Sequence, residues 1–211
     1  MRDFIILMLV VLQTLYTCSC SVDDAHLNGK VQPAEYQETI HEEYVLCAKG
    51  KTAAVVRRQL SDNAINYALM QADEQCEVNL TYSDDTGIII SDSSQQELQQ
   101  IECEVYPDDP AAPIQFLDFN QDGYADIALT LGGTLNSQKA VYLWDSDSSQ
   151  FVEVLYDGFL SYFEIHEDYI KNWVKDSETH IIVQILVWSG PHTLSLESET
   201  ILDVETGEVV D

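Results

Sequence analysis

The stretch IQFLDFNQDGYADIALTL, residues 114–131, decides how the rest of the chain is read. Two apolar runs of strand composition flank a short segment with Asp118, Asn120, Asp122 and Asp126 at positions one, three, five and nine, and Gly123 at position six. Runs of this length bounded by turn residues read as buried strands, so the segment is a β-loop-β unit. Three carboxylates within nine residues repel one another unless something neutralises them.

A hard divalent cation is the natural solution. Ca²⁺ takes six to eight oxygen ligands, and a tight loop supplies them from alternate residues with a glycine at the sharp turn. The predicted ligands are the side chains of Asp118, Asn120, Asp122 and Asp126 with the backbone carbonyl of Tyr124. Position twelve is Leu129 rather than a bidentate Glu, and the flanks are strands, so the loop is not an EF-hand. The missing carboxylate predicts weak binding, about 10⁻⁴–10⁻³ M. The alternative is a polar turn in which Asp and Asn accept hydrogen bonds from their own backbone.

Working outward, the same strand-and-turn grammar recurs. Residues 43–48, 52–58 and 76–82 have strand composition, and Ser83–Gly87 is a turn cluster leading into Ile88-Ile89-Ile90. Residues 63–72 fit either period, and their surroundings favour a strand. Residues 140–156 and 169–188 each read as strand, polar turn, strand, and 198–211 closes as a hairpin around Glu205-Thr206-Gly207. No βαβ alternation and no Gly-rich phosphate loop occur. The expected fold is all-β: antiparallel hairpins in a compact sandwich or propeller-like domain with one β-loop-β calcium site.

The 211 residues carry 37 acidic and 9 basic side chains, for a net charge of −28. Nucleic acid is a poor partner for such a surface, whereas a cation or a basic protein suits it. With 45% apolar residues the chain can still bury a core. Phe4–Leu12 is an uninterrupted apolar run after Arg2, as in a signal peptide, and it ends in Tyr-Thr-Cys-Ser-Cys. That ending resembles the lipobox of bacterial lipoproteins, which implies acylation of Cys20, or alternatively Cys18. The implied organisation is a signal peptide at 1–19, an acylated tether at 20–38 and an all-β domain at 39–211, its calcium-loop portion at about 101–211. The implied location is the outer face of the cell membrane or the periplasm, with free secretion as the alternative. Cys47, Cys76 and Cys103 allow one disulfide and a free thiol, in any of three pairings.

The Asp-x-Asn-x-Asp-Gly-x-x-Asp loop resembles the calcium loops of FG-GAP and VCBS repeats, which carry several copies where this chain has one. The run Phe116–Asn120, Asp122–Tyr124, Asp126-Ile127, then Tyr142–Asp145 and Phe151-Val152 is similar to a family of small bacterial exported proteins with a single such loop. The resemblance covers roughly residues 112–190. That family includes a periplasmic immunity protein that inhibits a lysozyme-like effector of a type IV secretion system, and calcium there looks structural. The resemblance implies a binding module, with inhibition of a cationic cell-wall hydrolase as one form of it; a structural or adhesive cell-surface protein is the alternative, and a metal-dependent hydrolase ranks below both.

Other clusters are weaker. Glu164-Ile165-His166-Glu167-Asp168 reads as a solvated turn, Trp188–His192 as a turn containing Ser189, and Asp145 and Asp147 as strand terminators or extra oxygens near the loop. No nucleophile motif or acid pair stands out, so no catalytic residues are expected.

Overall fold

Strand periodicity governs the structure, a computed structural model that describes residues 40–61, 63–71, 77–83, 86–105, 113–132 and 135–210. The expected signal peptide and tether, with Cys18 and Cys20, and also Cys76, lie outside the described residues. Among the described residues fourteen strands form three antiparallel sheets, each an up-and-down meander. The first holds β1 (Ile40–Leu46), β2 (Thr52–Ser61), β3 (Ala64–Met70), β4 (Glu77–Ser83), β5 (Gly87–Asp92) and β6 (Glu97–Ile101), side by side in that order. The second holds β7 (Ile114–Leu117), β8 (Asp126–Thr130), β9 (Lys139–Asp145) and β10 (Gln150–Glu153). The third holds β11 (Tyr162–Ile165), β12 (Ile170–Lys175), β13 (His180–Gly190) and β14 (Thr193–Asp203). The only helical element among the described residues is a single 3₁₀ turn at Ala48–Gly50.

In β3 and the first half of β2 buried residues alternate with more exposed ones, and the register lines the buried residues of β3–β6 up across strands. Ile65, Tyr82, Ile88 and Ile101 form one row, and Tyr67, Leu80 and Ile90 the next. Both rows face the middle sheet. There Ile114, Ile127, Leu129, Trp144 and Phe151 join the same core. The opposite face of the middle sheet presents Ala128, Val141 and Leu143 to a second core with Ile170, Leu186 and Leu194. The sandwich therefore has three layers, and its central strand β8 is buried at all five positions. A strand covered on both faces has no use for polar alternation, which is why Asp126–Thr130 reads as a continuous run.

Within the ambiguous segment 63–72, Ala64–Met70 forms the strand β3. The first expected strand stops at Leu46, earlier than its composition suggests, because Cys47 N–H donates to the Lys51 carbonyl at 3.0 Å and turns the chain. The closing hairpin is smaller than expected: beyond β14 one bridge, Leu202 to Val209, joins it. Between β4 and β5 the turn needs Gly87, at φ +72, because a Cβ there would lie 2.4 Å from the Ile101 carbonyl oxygen.

Candidate functional site: the Asp118–Asp126 loop

The loop between β7 and β8 is folded by its own side chains. Asp118 Oδ1 accepts from Asp122 N–H at 3.1 Å, and Asp118 Oδ2 from Gly123 N–H at 3.1 Å. Asn120 Oδ1 shares the Asp122 N–H at 3.1 Å, and Asp122 Oδ1 accepts from Tyr124 N–H at 2.9 Å. Asn120 Nδ2 donates to Asp122 Oδ2 at 2.9 Å. Gln121 at φ +58 and Gly123 at φ +97 supply the left-handed conformations that let successive N–H groups point at these oxygens.

The loop also ties the three layers together. Asp118 Oδ2 accepts from Ala48 N–H at 2.7 Å, reaching the turn after β1. Gln71, 1% exposed at the end of β3, holds Ala125 in two bonds: its Oε1 accepts from Ala125 N–H at 2.8 Å and its Nε2 donates to the Ala125 carbonyl at 2.9 Å. Asp126 is 0% exposed; its Oδ2 accepts from Phe119 N–H at 2.7 Å and its Oδ1 from Trp144 N–H on β9 at 2.8 Å. Gln121 Nε2 donates to the carbonyl of His166, in the β11–β12 turn of the third sheet. Phe119 points into the second core, edge-on to Phe163 and Trp188.

Electrostatically the loop is unbalanced. Burial pushes the Asp126 carboxyl well above the usual carboxylate range, and repulsion from Asp122 and Asp118 adds to it; the N–H bonds from Trp144 and Phe119 pull the other way and lose. Asp118 is also raised, first by burial, with Asp122 adding repulsion against the opposing N–H bonds of Ala48 and Gly123. Cys47, beside Ala48, has its thiol pushed up to about 11 by burial and then by Asp118. Two lysines lie near: Lys49 Nζ donates to the Asp122 carbonyl at 3.1 Å, and Lys51 Nζ stands 4.5 Å from the centre of the Tyr124 ring.

These residues match Ca²⁺ in donor chemistry and spacing: hard oxygens alone, from positions one, three, five, seven and nine. A carboxylate oxygen that accepts an N–H keeps a second lone pair for a cation. As the side chains stand, however, no three His, Cys, Asp or Glu groups among the described residues converge tightly enough to form a metal cage. Asp126 in particular is buried with both oxygens engaged by backbone N–H. The geometry thus contains the self-capped turn in full and the calcium donor set in part.

The remaining candidates serve as turns. Asp145 accepts from Asp147 N–H at 3.0 Å and from Ser148 Oγ at 2.8 Å, closing the β9–β10 hairpin. His166 stacks on Tyr169 with ring centres 4.3 Å apart and lies 3.4 Å from Glu164. Ser189 Oγ donates to the Thr193 carbonyl at 3.3 Å within the β13–β14 turn. Cys47 and Cys103 are free thiols. Sequence reasoning missed Gln71 and Ala48, which bind the loop from outside it, and Gln121, which reaches out of the loop to His166; the only trace of them in the sequence is a Gln at the end of the apolar alternation of β3.

No family model matches the chain, and no curated protein matches it. A solved structure of a Xanthomonas type IV secretion system related protein is similar at 14% identity, over 85% of this chain and 95% of that one, with a TM-score of 0.38. A likeness at that score carries neither fold nor function from one protein to the other.

Proposed function

We propose that this chain is an exported, lipid-anchored binding module of a bacterial envelope, whose Asp118–Asp126 loop holds a structural Ca²⁺. The observation that carries the calcium reading is the position of the loop. Its hydrogen bonds reach all three sheets, and it carries three carboxylates, two of them partly or wholly buried. A divalent cation at such a point would offset the mutual repulsion and lower the cost of keeping Asp118 and Asp126 ionised. Binding would then appear as folding stability by mass action. Asp118, Asn120 and Asp122 would supply side-chain oxygens and Tyr124 its carbonyl, with Asp126 holding the loop from within.

The charge of −28 supports a basic protein partner, with a cationic cell-wall hydrolase as the class to try first. Calorimetric Ca²⁺ titration and thermal melting of the protein, beside Asp122→Ala, test the metal reading. One site, with a calcium-dependent rise in melting temperature that the variant lacks, is the expected result. No heat and no shift would leave the loop a self-capped turn. Salt-sensitive inhibition of a basic lysozyme tests the partner class, and inhibition absent at low salt would remove it.

A further inference from the structure

Two sheet edges lie beside one another on this molecule. β1 is one edge strand of the first sheet and β7 one edge strand of the middle sheet. A groove of ≈ 670 Å³ runs between them, lined by residues 43–46 and by every residue of β7. Tyr44 and Leu46, 65% and 84% exposed, stand on its β1 side, and Ile114, Phe116 and Leu117 on the other. A second hollow of ≈ 400 Å³ shares Gln115 and Lys139 with the groove and continues it toward Glu164 and Trp173. Ser161 also lines this second hollow; it is 0% exposed and its hydroxyl has no hydrogen-bond partner among the described residues.

The combined track has an apolar floor, an exposed strand edge and three carboxylates, Glu43, Asp118 and Glu164, against one ammonium, Lys139, which already donates to Thr130 Oγ1 at 3.0 Å. A strand edge presents backbone donors and acceptors to any extended chain laid beside it. β7 offers four residues, about 13 Å of pairing. The charge selects the occupant. Nucleic acid and a second copy of this chain, itself at −28, are both repelled.

We propose that this track docks an extended, basic segment of a partner protein, which adds as a strand to the β7 edge and sets Lys or Arg side chains against Glu43 and Glu164. The proposal rests on the binding-module reading and deepens it by naming the surface and the shape of the ligand.

The test uses the full chain and two blocked peptides, (Lys-Val)4 and (Glu-Val)4, together with (Lys-Val)4 N-methylated at every residue. Affinities are measured at about 0.15 M salt, where the screening length is ~8 Å. (Lys-Val)4 is expected to bind, and (Glu-Val)4 and the N-methylated peptide, whose blocked edge cannot pair, are expected not to. E43K/E164K should weaken (Lys-Val)4 by about tenfold or more, while E178K/E205K, an equal charge change on turns outside the track, should change it by less than about threefold. Melting curves check that both double variants fold. No binding of (Lys-Val)4, equal losses in the two double variants, or equal binding of the N-methylated peptide would each overturn the proposal. Salt-sensitive lysozyme inhibition that survives in E43K/E164K would remove the groove and leave the binding-module reading standing.

Discussion

At the residue scale the decisive group is Asp126. It lies inside the protein with an oxygen on each of two backbone N–H groups, Phe119 of the loop and Trp144 of β9. Removing it strands two buried donors, each costing about 1–3 kcal/mol. Asp126→Ala is therefore expected to lose about 2–5 kcal/mol in urea unfolding with chelator present, whereas Asp126→Asn, which keeps one acceptor, should lose less. Equal costs for the two would mean that the N–H bonds are not what the carboxylate contributes. Gln71 is the matching residue on the other side of the loop: trimmed to Ala, it leaves both polar groups of Ala125 unpaired in the core. Tyr142 contributes to the alkaline limit. Burial, with Glu153 and Cys103 adding repulsion, pushes its phenol up to about 12 from 10.0. The folded state then binds the proton more tightly than the unfolded one, so stability falls as pH rises from about 10 to about 12. Tyr142→Phe should flatten that part of the stability–pH curve and leave the decline between about pH 9 and 11 that the raised Cys47 thiol produces.

At the element scale the β7–loop–β8 unit depends on backbone conformation as much as on charge. Gly123 sits at φ +97, a region that side chains rarely enter, and a Cβ there would also come within 2.9 Å of Lys51 Cδ. The lysine can move and the backbone cannot. Gly123→Ala is expected to destabilise by about 1–3 kcal/mol, and by nearly the same amount in a Lys51→Ala background. Full recovery in that background would show that crowding rather than φ is the cause. β8, by contrast, tolerates little: Ile127, Ala128 and Leu129 are all buried, and they point alternately into the two cores. Enlarging Ala128 would crowd Val141 and Leu143 in the same layer.

At the scale of the whole molecule, self-repulsion opposes the compact state. With 37 acidic and 9 basic residues, added NaCl is expected to raise the melting temperature by screening. Millimolar calcium at matched ionic strength should raise it further, and Asp122→Ala should keep the salt response and lose the calcium response. Identical responses to the two salts would place the whole effect on screening rather than on a site.

Much of the fold is local in origin and was therefore legible. β2, β4, β9, β12 and β13 each carry strand composition bounded by Asp, Ser or Gly turns, and the Asp118–Asp126 spacing marks a loop folded by its own carboxylates whatever surrounds it. Both the all-β class and the place of the candidate site follow from the sequence by itself, because short-range dihedral and hydrogen-bond preferences act within a few residues. The tertiary structure decided what depends on contacts between residues far apart in the chain. It made the sandwich three layers deep, so that a run like Asp126–Thr130 is buried on both faces. It brought Gln71 and Ala48 onto a loop 54 and 70 residues away. It also turned Asp126 inward onto Trp144, so that a residue expected to face an ion is spent on the backbone of the next strand. Periodicity in a sequence records that a face is buried and carries no record of which distant polar group will meet it there.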